Sequence, residues 1–194
     1  LRSRDRAVTE SDYEFLARQA LPAAIGRVKC LQPRPAEAGR VAPGQIYVLI
    51  IPRVMHSAHY LSPSELVLNQ DDIQALDAFL AERRMLTTRV DVRPPAYRWV
   101  AVKAQLRASP GVPEEAVEAG ILARLYRFLN PLTGGLFVSD VYQALQGVPN
   151  VQFIRNVEMY AANESGAAQG KPVESLEIVS HGVVASGIHA VEFV

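Results

Sequence analysis

The sequence predicts an α+β protein of two small layered units, each a short-stranded sheet with helices packed on it, followed by a C-terminal strand pair. Helix and strand patterns alternate irregularly along the chain, and 49% of its 194 residues are apolar, which is enough for a core. Pro94 and Pro95 cannot donate to a sheet ladder, so they mark a boundary. The predicted divisions are residues 1–93, residues 94–160, and a linker with the strand pair over residues 161–194.

The first predicted unit reads helix, strand, strand, helix, strand. Thr9 can cap the first helix while Asp12 reaches back to it, and Pro22 ends it. The remaining segments are strands from Ile25 to Leu31 and from Gln45 to Ile51, a helix introduced by Asp71 and Asp72, and a strand from Thr88 to Val92. The all-apolar run of the second strand indicates a central position with both faces covered.

The second predicted unit begins with a strand and two helices. Pro113 suits the first turn of a long helix, and Ser139-Asp140 suits the start of a shorter one. The predicted strands are Tyr97 to Ala108, Val151 to Tyr160, Ser175 to Ser180 and His189 to Val194, with a small, polar linker from Ala161 to Lys171.

The charge balance argues against two classes of partner. Twenty basic residues face twenty acidic ones, so there is no positive excess to displace counterions from nucleic acid. The most apolar stretch, Ile46 to Pro52, is far shorter than the roughly 20 residues that cross hydrocarbon. Trp99 and Tyr97 are the aromatic residues that an RNA-binding sheet would use, which keeps that class as a third hypothesis.

The single cysteine and the first residues bear on the protein's setting. Cys30 cannot form an internal disulfide, which is typical of a reducing cytosol, and its apolar neighbours indicate a buried, inert thiol. The chain opens at Leu1 without a methionine or a secretory signal, so we expect the complete protein to extend further toward the N-terminus.

The histidines are the first place to look for a metal or a catalytic base. His56 and His59 are near one another but stand in a segment without helical pattern, and no acidic residue or cysteine lies at ligand spacing. Ser186 lies between His181 and His189 but lacks the Gly-x-Ser-x-Gly turn of a nucleophile, and glycine with serine is ordinary turn material.

Two further patterns have simple structural interpretations. Gly134-Gly135 is followed by neither a dinucleotide nor a P-loop pattern, so it indicates a tight reversal. The carboxylates of Asp71 and Asp72 suit a helix start better than an acid/base pair. The sequence therefore predicts no catalytic, cofactor-binding or metal-binding residue, and no enzyme.

Several segments, taken in order, carry a resemblance to a known family. They are Arg6-Ala-Val-Thr-x-x-Asp-Tyr13, Ala81-Glu-Arg-Arg-Met-Leu-Thr-Thr-Arg-Val90, Pro95-Ala-Tyr97 leading into Val100-x-Val102, Arg127-Phe-Leu-Asn-Pro-Leu-Thr-Gly-Gly135, Ser139-Asp-Val-Tyr142 and Gly147-Val-Pro-Asn-Val151. Together they resemble the Baseplate J-like family of putative baseplate assembly proteins. The resemblance covers nearly the whole chain.

The resemblance implies a structural wedge subunit of a contractile phage tail, secretion system or extracellular injection particle. Such a subunit is assembled in the cytoplasm, joins the central spike and hub to the sheath, and binds copies of itself, related wedge subunits and sheath adaptors in a sixfold baseplate. The kind of particle and the copy number per wedge stay open.

The chain departs from this family at one point. Relatives usually carry about a dozen residues, including a Trp-Pro-Phe-Gly stretch, before the Ser-x-Val-Tyr helix, a length typical of a functional loop. Here Leu136 follows Gly135 directly. The runner-up hypothesis is a small-molecule-binding or enzymatic α+β domain that uses His56 and His59.

Overall fold

The computed structural model describes residues 5–32, 44–53, 59–129, 135–179 and 181–194. The chain forms two compact units, the first from residues 1–54 and 64–95 and the second from residues 55–63 and 96–194. Helices and mixed sheets occur together, which confirms the predicted α+β class. The predicted connection over residues 33–44 lies outside the described residues except for Gly44.

The first unit is a three-stranded sheet with two helices. Its elements are α1 (Glu10–Ala20), β1 (Ile25–Leu31), β2 (Gln45–Pro52), a 3₁₀ turn (Pro63–Leu66), α2 (Gln70–Ala81) and β3 (Arg89–Arg93). The strand order is β1-β2-β3, with β1 antiparallel and β3 parallel to β2. Four consecutive residues of β2, Val48 to Ile51, are buried, which confirms the predicted central strand.

Helix α1 begins as the sequence predicts and also protects the edge of the sheet. The Thr9 hydroxyl accepts a hydrogen bond from the Asp12 backbone N–H, and the Asp12 carboxylate accepts one from the Thr9 N–H at 2.8 Å. The Glu14 carboxylate accepts a bond from the Cys30 N–H at 3.0 Å. Because Cys30 lies on the edge strand β1, this contact satisfies a donor that would otherwise be open to another strand.

The second unit is a five-stranded sheet with two helices and a small ladder. Its elements are β4 (Ala96–Ala108), α3 (Glu114–Leu129), β5 (Leu136–Phe137), α4 (Val138–Gln146), β6 (Val151–Ala162), β7 (Ala168–Val173), β8 (Ser175–Leu176), β9 (Gly182–Ser186) and β10 (Ala190–Phe193). Strand β4 pairs antiparallel with β6 on one side and parallel with β9 and β10 on the other, while β7 extends the sheet beyond β6.

The core of the second unit lies between one face of this sheet and the two helices. Every second residue of β4 and the apolar stripe predicted for α3 contribute to it, together with residues of α4, β6 and β9. These members are Val100, Val102, Ala104, Leu106, Val117, Ile121, Leu125, Leu129, Val141, Leu145, Val157, Met159 and Val184. Leu136, directly after Gly135, is fully buried in the same core. Apolar residues that recur every second position on the strand and about every 3.6 positions on the helix therefore form one core layer.

Both C-terminal segments predicted as strands contain a strand, and the two strands have different partners. The segment from Ser175 forms the two-residue strand β8, which pairs with β5, and the segment from His189 forms β10, which pairs with β4. The intervening residues were interpreted as turn material but form β9, a strand whose short apolar run is typical of a buried parallel strand. The predicted linker from Ala161 to Lys171 contains the end of β6 and the first four residues of β7, whose exposed residues give no apolar alternation.

Helix α4 has its N-cap two residues earlier than predicted. Phe137 is the N-cap, and the Asp140 carboxylate accepts its backbone N–H at 3.0 Å. Ser139 lies inside the first turn, so it is not the cap that the sequence indicated. A capping box has two hydrogen bonds, and Asp140 makes the one in which a carboxylate at the third helical position accepts the N-cap backbone N–H.

Two leucines of the first unit allow the same substitution to be compared at a buried and at an exposed position. Leu76 on α2 is fully buried and Leu86, ten residues later, is fully exposed. We expect Leu76→Ala to lower the free energy of unfolding by about 2–5 kcal/mol because it opens a cavity. Leu86→Ala should change it by less than about 0.5 kcal/mol. Urea unfolding followed by circular dichroism measures both, and equal losses would contradict this packing.

Candidate functional site

Ser186 and His189 form a close pair of potentially reactive side chains in the described part of the chain. The Ser186 Oγ lies 2.6 Å from His189 Nε2, and both residues are buried, with 7% of His189 exposed. Ser186 ends β9, and His189 lies just before β10. A serine nucleophile needs a base within hydrogen-bond distance, and an imidazole can be that base. The hydrogen bonds of the imidazole therefore decide whether this is a catalytic site.

The position of His189 follows from a break in the sheet. Strand β9 covers β4 from Ala96 to Val100, and β10 covers it from Lys103 to Leu106. Val102 falls in the gap between the two, where no strand supplies a carbonyl. The His189 Nδ1 accepts the Val102 backbone N–H at 3.0 Å, so the imidazole takes the place of the missing strand.

A glycine makes this crossing possible. The Gly187 N–H donates to the Val100 carbonyl at 2.7 Å, which brings its backbone against β4. A Cβ at this position would lie 2.8 Å from the Gly166 carbonyl oxygen and 3.1 Å from that of Val100. Side chains larger than hydrogen would therefore push the crossing away from β4 and pull His189 out of the gap.

The hydrogen bonds of His189 select the tautomer that cannot act as a base toward Ser186. Because Nδ1 accepts from a backbone N–H, it carries no hydrogen, and the single hydrogen of the neutral ring is on Nε2. Burial lowers the pKa of His189 to about 3, so the ring is neutral at pH 7. Nε2 therefore donates to Ser186 and has no lone pair with which to remove the serine proton. The pair holds the sheet together and does not activate a nucleophile.

This burial predicts a pH-dependent stability. The folded pKa of His189 lies below the ordinary value of 6.5, so the unfolded state binds the additional proton and stability falls as the pH drops from 6.5 toward 3. The contribution is about 1.4 kcal/mol per pH unit within that window. We expect His189→Gln, whose amide oxygen can still accept the Val102 N–H, to remove this slope.

Urea unfolding at pH 7, 6 and 5 measures the slope for both proteins. Carboxylates also change the free energy of unfolding with pH, but they do so equally in both proteins. The difference between the two slopes therefore belongs to His189. Parallel profiles for the wild type and the variant would mean that His189 is not buried as a neutral acceptor.

The tautomer also predicts that Ser186 is chemically inert. We expect no adduct at Ser186 when the folded protein is incubated with a fluorophosphonate, because the serine has no base and is buried. Intact-mass and peptide mass spectrometry measure the adduct. Stoichiometric labelling of Ser186 that disappears in His189→Ala would contradict this assignment and identify a nucleophile.

The other histidines do not join this pair. His181 and His189 lie at opposite ends of the five-residue strand β9. His56 lies outside the described residues, whereas His59 lies within them. In the described ranges there is no cluster of three or more histidine, cysteine, aspartate or glutamate side chains that could hold a metal ion.

The remaining candidate residues that the structure describes serve the fold: they lie at a helix start, before a strand or in a core. Asn69 caps α2, and its side-chain oxygen accepts the Asp72 N–H at 2.7 Å, so the acidic pair does stand at a helix start. Gly134 lies outside the described residues, and Gly135 leads into β5. Cys30 is buried, and this burial raises the pKa of its thiol to about 12, so the thiolate is disfavoured at neutral pH.

The aromatic residues of β4 are covered. Trp99 is 6% exposed, and its ring lies 5.7 Å from that of Tyr60 and 6.1 Å from that of Tyr97. Burial raises the pKa of Tyr97 as well. Rings packed against one another in this way do not offer the open faces on which RNA bases stack.

Most of the rest of this sheet face is polar, and the exposed Phe153 on it is covered in part by the guanidinium of Arg107. Lys103 pairs with Glu192 at 2.7 Å, Gln105 donates to Glu192 at 2.8 Å, and Tyr160 donates to Glu158 at 2.6 Å. These side chains are partly exposed, and they satisfy one another. Such a network is typical of the solvent-facing side of an antiparallel sheet.

The sheet edges of the second unit carry features that oppose strand addition. The half of β6 that β7 leaves open contains two register shifts, at Arg155 and Gln152, and such bulges interrupt an edge. In β7, Gly170 has a φ of 72°, and Lys171 and Pro172 follow it. Bulges, lysine and proline are the usual protection of a sheet edge, so this edge is protected against the addition of another strand.

Comparisons with known proteins give a likeness of fold. No protein-family model matches the sequence, and no curated protein matches it. The fold is similar to that of a chain in the cryo-EM structure of the anti-feeding prophage (AFP) baseplate, 6-fold symmetrised, with a TM-score of 0.60 and 18% sequence identity. The match covers 95% of this chain and 38% of that one, so this chain spans less than half the length of its structural neighbour.

Within the described ranges, no helix combines the length and the apolar composition that crossing a bilayer requires.

Proposed function

We propose that this chain is a structural part of the baseplate of a contractile injection system, in the wedge that joins the central spike and hub to the sheath. The observation that carries the proposal is the fold likeness over 95% of the chain to a chain of the anti-feeding prophage baseplate. The ordered motifs that resemble baseplate assembly proteins support it independently, because they rest on the sequence alone.

The site geometry supports a role without catalysis. The Ser186–His189 pair has its imidazole hydrogen on the wrong nitrogen for a base, and the thiol of Cys30 is buried and protonated. Both groups serve the packing of their unit. A subunit that works by contact alone needs a stable fold and side-chain surfaces, and these are what the described residues provide.

The proposed partners are other baseplate proteins. The anti-feeding prophage baseplate was symmetrised sixfold, and we extend that arrangement to this chain, with copies of itself or related wedge subunits, spike and hub proteins, and sheath adaptors as neighbours. Assembly in the cytoplasm, before incorporation into a virion or tail-like particle, belongs to the same proposal.

Deletion of the coding sequence from the cell that makes the particle tests this function. We expect tail tubes and sheaths without attached baseplates in negative-stain micrographs of purified particles, because a missing wedge leaves nothing to join spike and sheath. The unaltered gene supplied in trans should restore complete particles. Ser186→Ala, supplied in the same way, should restore them equally well.

Two outcomes would overturn the proposal. Complete, contractile particles in the deletion strain would exclude a structural role in the baseplate. Failure of Ser186→Ala to restore particles, although the variant accumulates to the normal level, would indicate that the serine has a chemical role.

A further inference from the structure

One edge of the sheet in the first unit is open. Strand β3 pairs with β2 on one side, and no described strand lies on its other side. The Arg89 N–H donates to the Gly44 carbonyl at 2.8 Å. Because backbone groups of alternate residues point to opposite sides of a strand, Arg89 and every second residue after it bond to β2, and Val90 and Val92 direct their N–H and C=O groups outward. None of the described residues bonds to those outward groups.

The other edge of this sheet is not open in the same way. On β1 the Glu14 carboxylate accepts the Cys30 N–H, which closes that edge at its centre. A row of free donors and acceptors, by contrast, is a template on which another strand can add. Pro94 has no N–H, so it ends the open row directly after β3.

Charged side chains alternate along β3 on the face turned away from the helices. The two valines of β3 pack toward the core that α1 and α2 cover, which leaves Arg89, Asp91 and Arg93 on the other face. The Arg93 guanidinium lies 3.9 Å from the centre of the Tyr47 ring and pairs with Asp91. Their side chains are 43% and 35% exposed, so both can still reach an added strand. That strand meets a basic, acidic, basic pattern.

The other charges of the first unit lie on other elements. Strand β2 has no charged residue, and Arg27 and Lys29 lie on β1, two strands from β3. Helix α1 packs on β1, at the far side of the sheet. The opposite face bears α2 with the segment after it, whose charged residues are Asp71, Asp72, Asp77, Glu82, Arg83 and Arg84. The sheet separates these groups from Asp91, so salt screens them more than charges on directly opposed strands.

We infer that the open edge of β3 pairs with the same edge of a second copy of this chain, antiparallel about a twofold axis through Val92. The two Val92 residues then exchange backbone hydrogen bonds, and the Val90 N–H of each copy meets the Pro94 carbonyl of the other. Asp91 of each copy lies opposite Arg93 of the other, at the short spacing of a pair that shares no backbone hydrogen bond. The pattern that this edge requires is thus carried by β3 itself, which favours a second copy over an unrelated segment.

Two neighbouring registers are disfavoured. An axis through Asp91 sets the two Asp91 carboxylates against each other and Arg89 against Arg93, and like charges directly opposite destabilise a sheet. An axis through Val90 requires the backbone of Thr88, whose N–H and carbonyl are both already bonded within the chain. The inference rests on the strand's own pattern, and it does not depend on the baseplate assignment.

Two single charge reversals test the pairing in the full chain. Asp91→Arg sets arginine against arginine across the axis, and Arg93→Asp sets aspartate against aspartate. We expect each change to raise the dissociation constant of the dimer about tenfold or more. Mixed in equal amounts, the two variants should form a heterodimer about as strong as the wild-type dimer, because each then supplies the charge that the other needs. Sedimentation velocity over a concentration series measures the dimers, and native mass spectrometry identifies the heterodimer.

Further variants separate pairing from folding and from net charge. The double change Asp91→Arg with Arg93→Asp keeps an ion pair within the strand and should dimerise like the wild type. Asp71→Arg, at the exposed start of α2, changes the net charge as Asp91→Arg does and should leave the dimer unchanged. Val92→Pro removes an outward N–H that makes no bond within the chain and should abolish the dimer. Unchanged melting temperatures show that each variant is folded.

Several results would overturn the inference. A wild-type chain that stays monomeric up to roughly 1 mM would mean that the edge does not pair with itself. Asp91→Arg homodimers as strong as those of the wild type would place the contact on another surface. A heterodimer no stronger than either variant's homodimer would contradict the charge pairing. These measurements use the purified chain alone, so their outcome is independent of the deletion experiment on the particle.

Discussion

The second unit depends on the complete pairing of one long strand. Strand β4 has thirteen residues and lies inside the sheet, so each of its backbone donors needs a partner on one side or the other. On one side β6 pairs with β4 from Trp99 to Ala108, with two register shifts. On the other side β9 and β10 leave a gap at Val102, which the imidazole of His189 fills. A buried polar side chain is thereby part of the backbone ladder.

This use of a histidine explains why the chain can hold a close serine–histidine pair without an active site. The hydrogen-bond requirement of the sheet selects the acceptor on Nδ1, and that choice places the hydrogen on Nε2, toward Ser186. The short distance alone would suggest a nucleophile with its base, which the tautomer contradicts. With that pair assigned to the sheet, the described part of the second unit holds this serine and histidine for a structural reason.

The sequence predicted the elements whose signals are local and missed those that depend on distant partners. The capping residues of α1 and the buried run of β2 lie within a few neighbours of one another, so pattern and position agreed. Strand β9 was taken for a turn because its apolar run is only a few residues long and stands between glycines, and its partner on β4 begins 86 residues earlier at Ala96. The function of His189 has no sequence signal at all, since Val102 is 87 positions away.

The protonation of the His189 ring tests the central claim most directly. A long-range ¹H–¹⁵N correlation spectrum of the histidine side chains at pH 7, assigned with His189→Gln, reports which ring nitrogen carries the hydrogen. The account predicts a neutral ring with hydrogen on Nε2 and a bare Nδ1 that accepts the Val102 N–H. A ring with hydrogen on Nδ1, or a doubly protonated ring, would contradict it, because the gap in the ladder would then be unfilled and Ser186 would face a different partner.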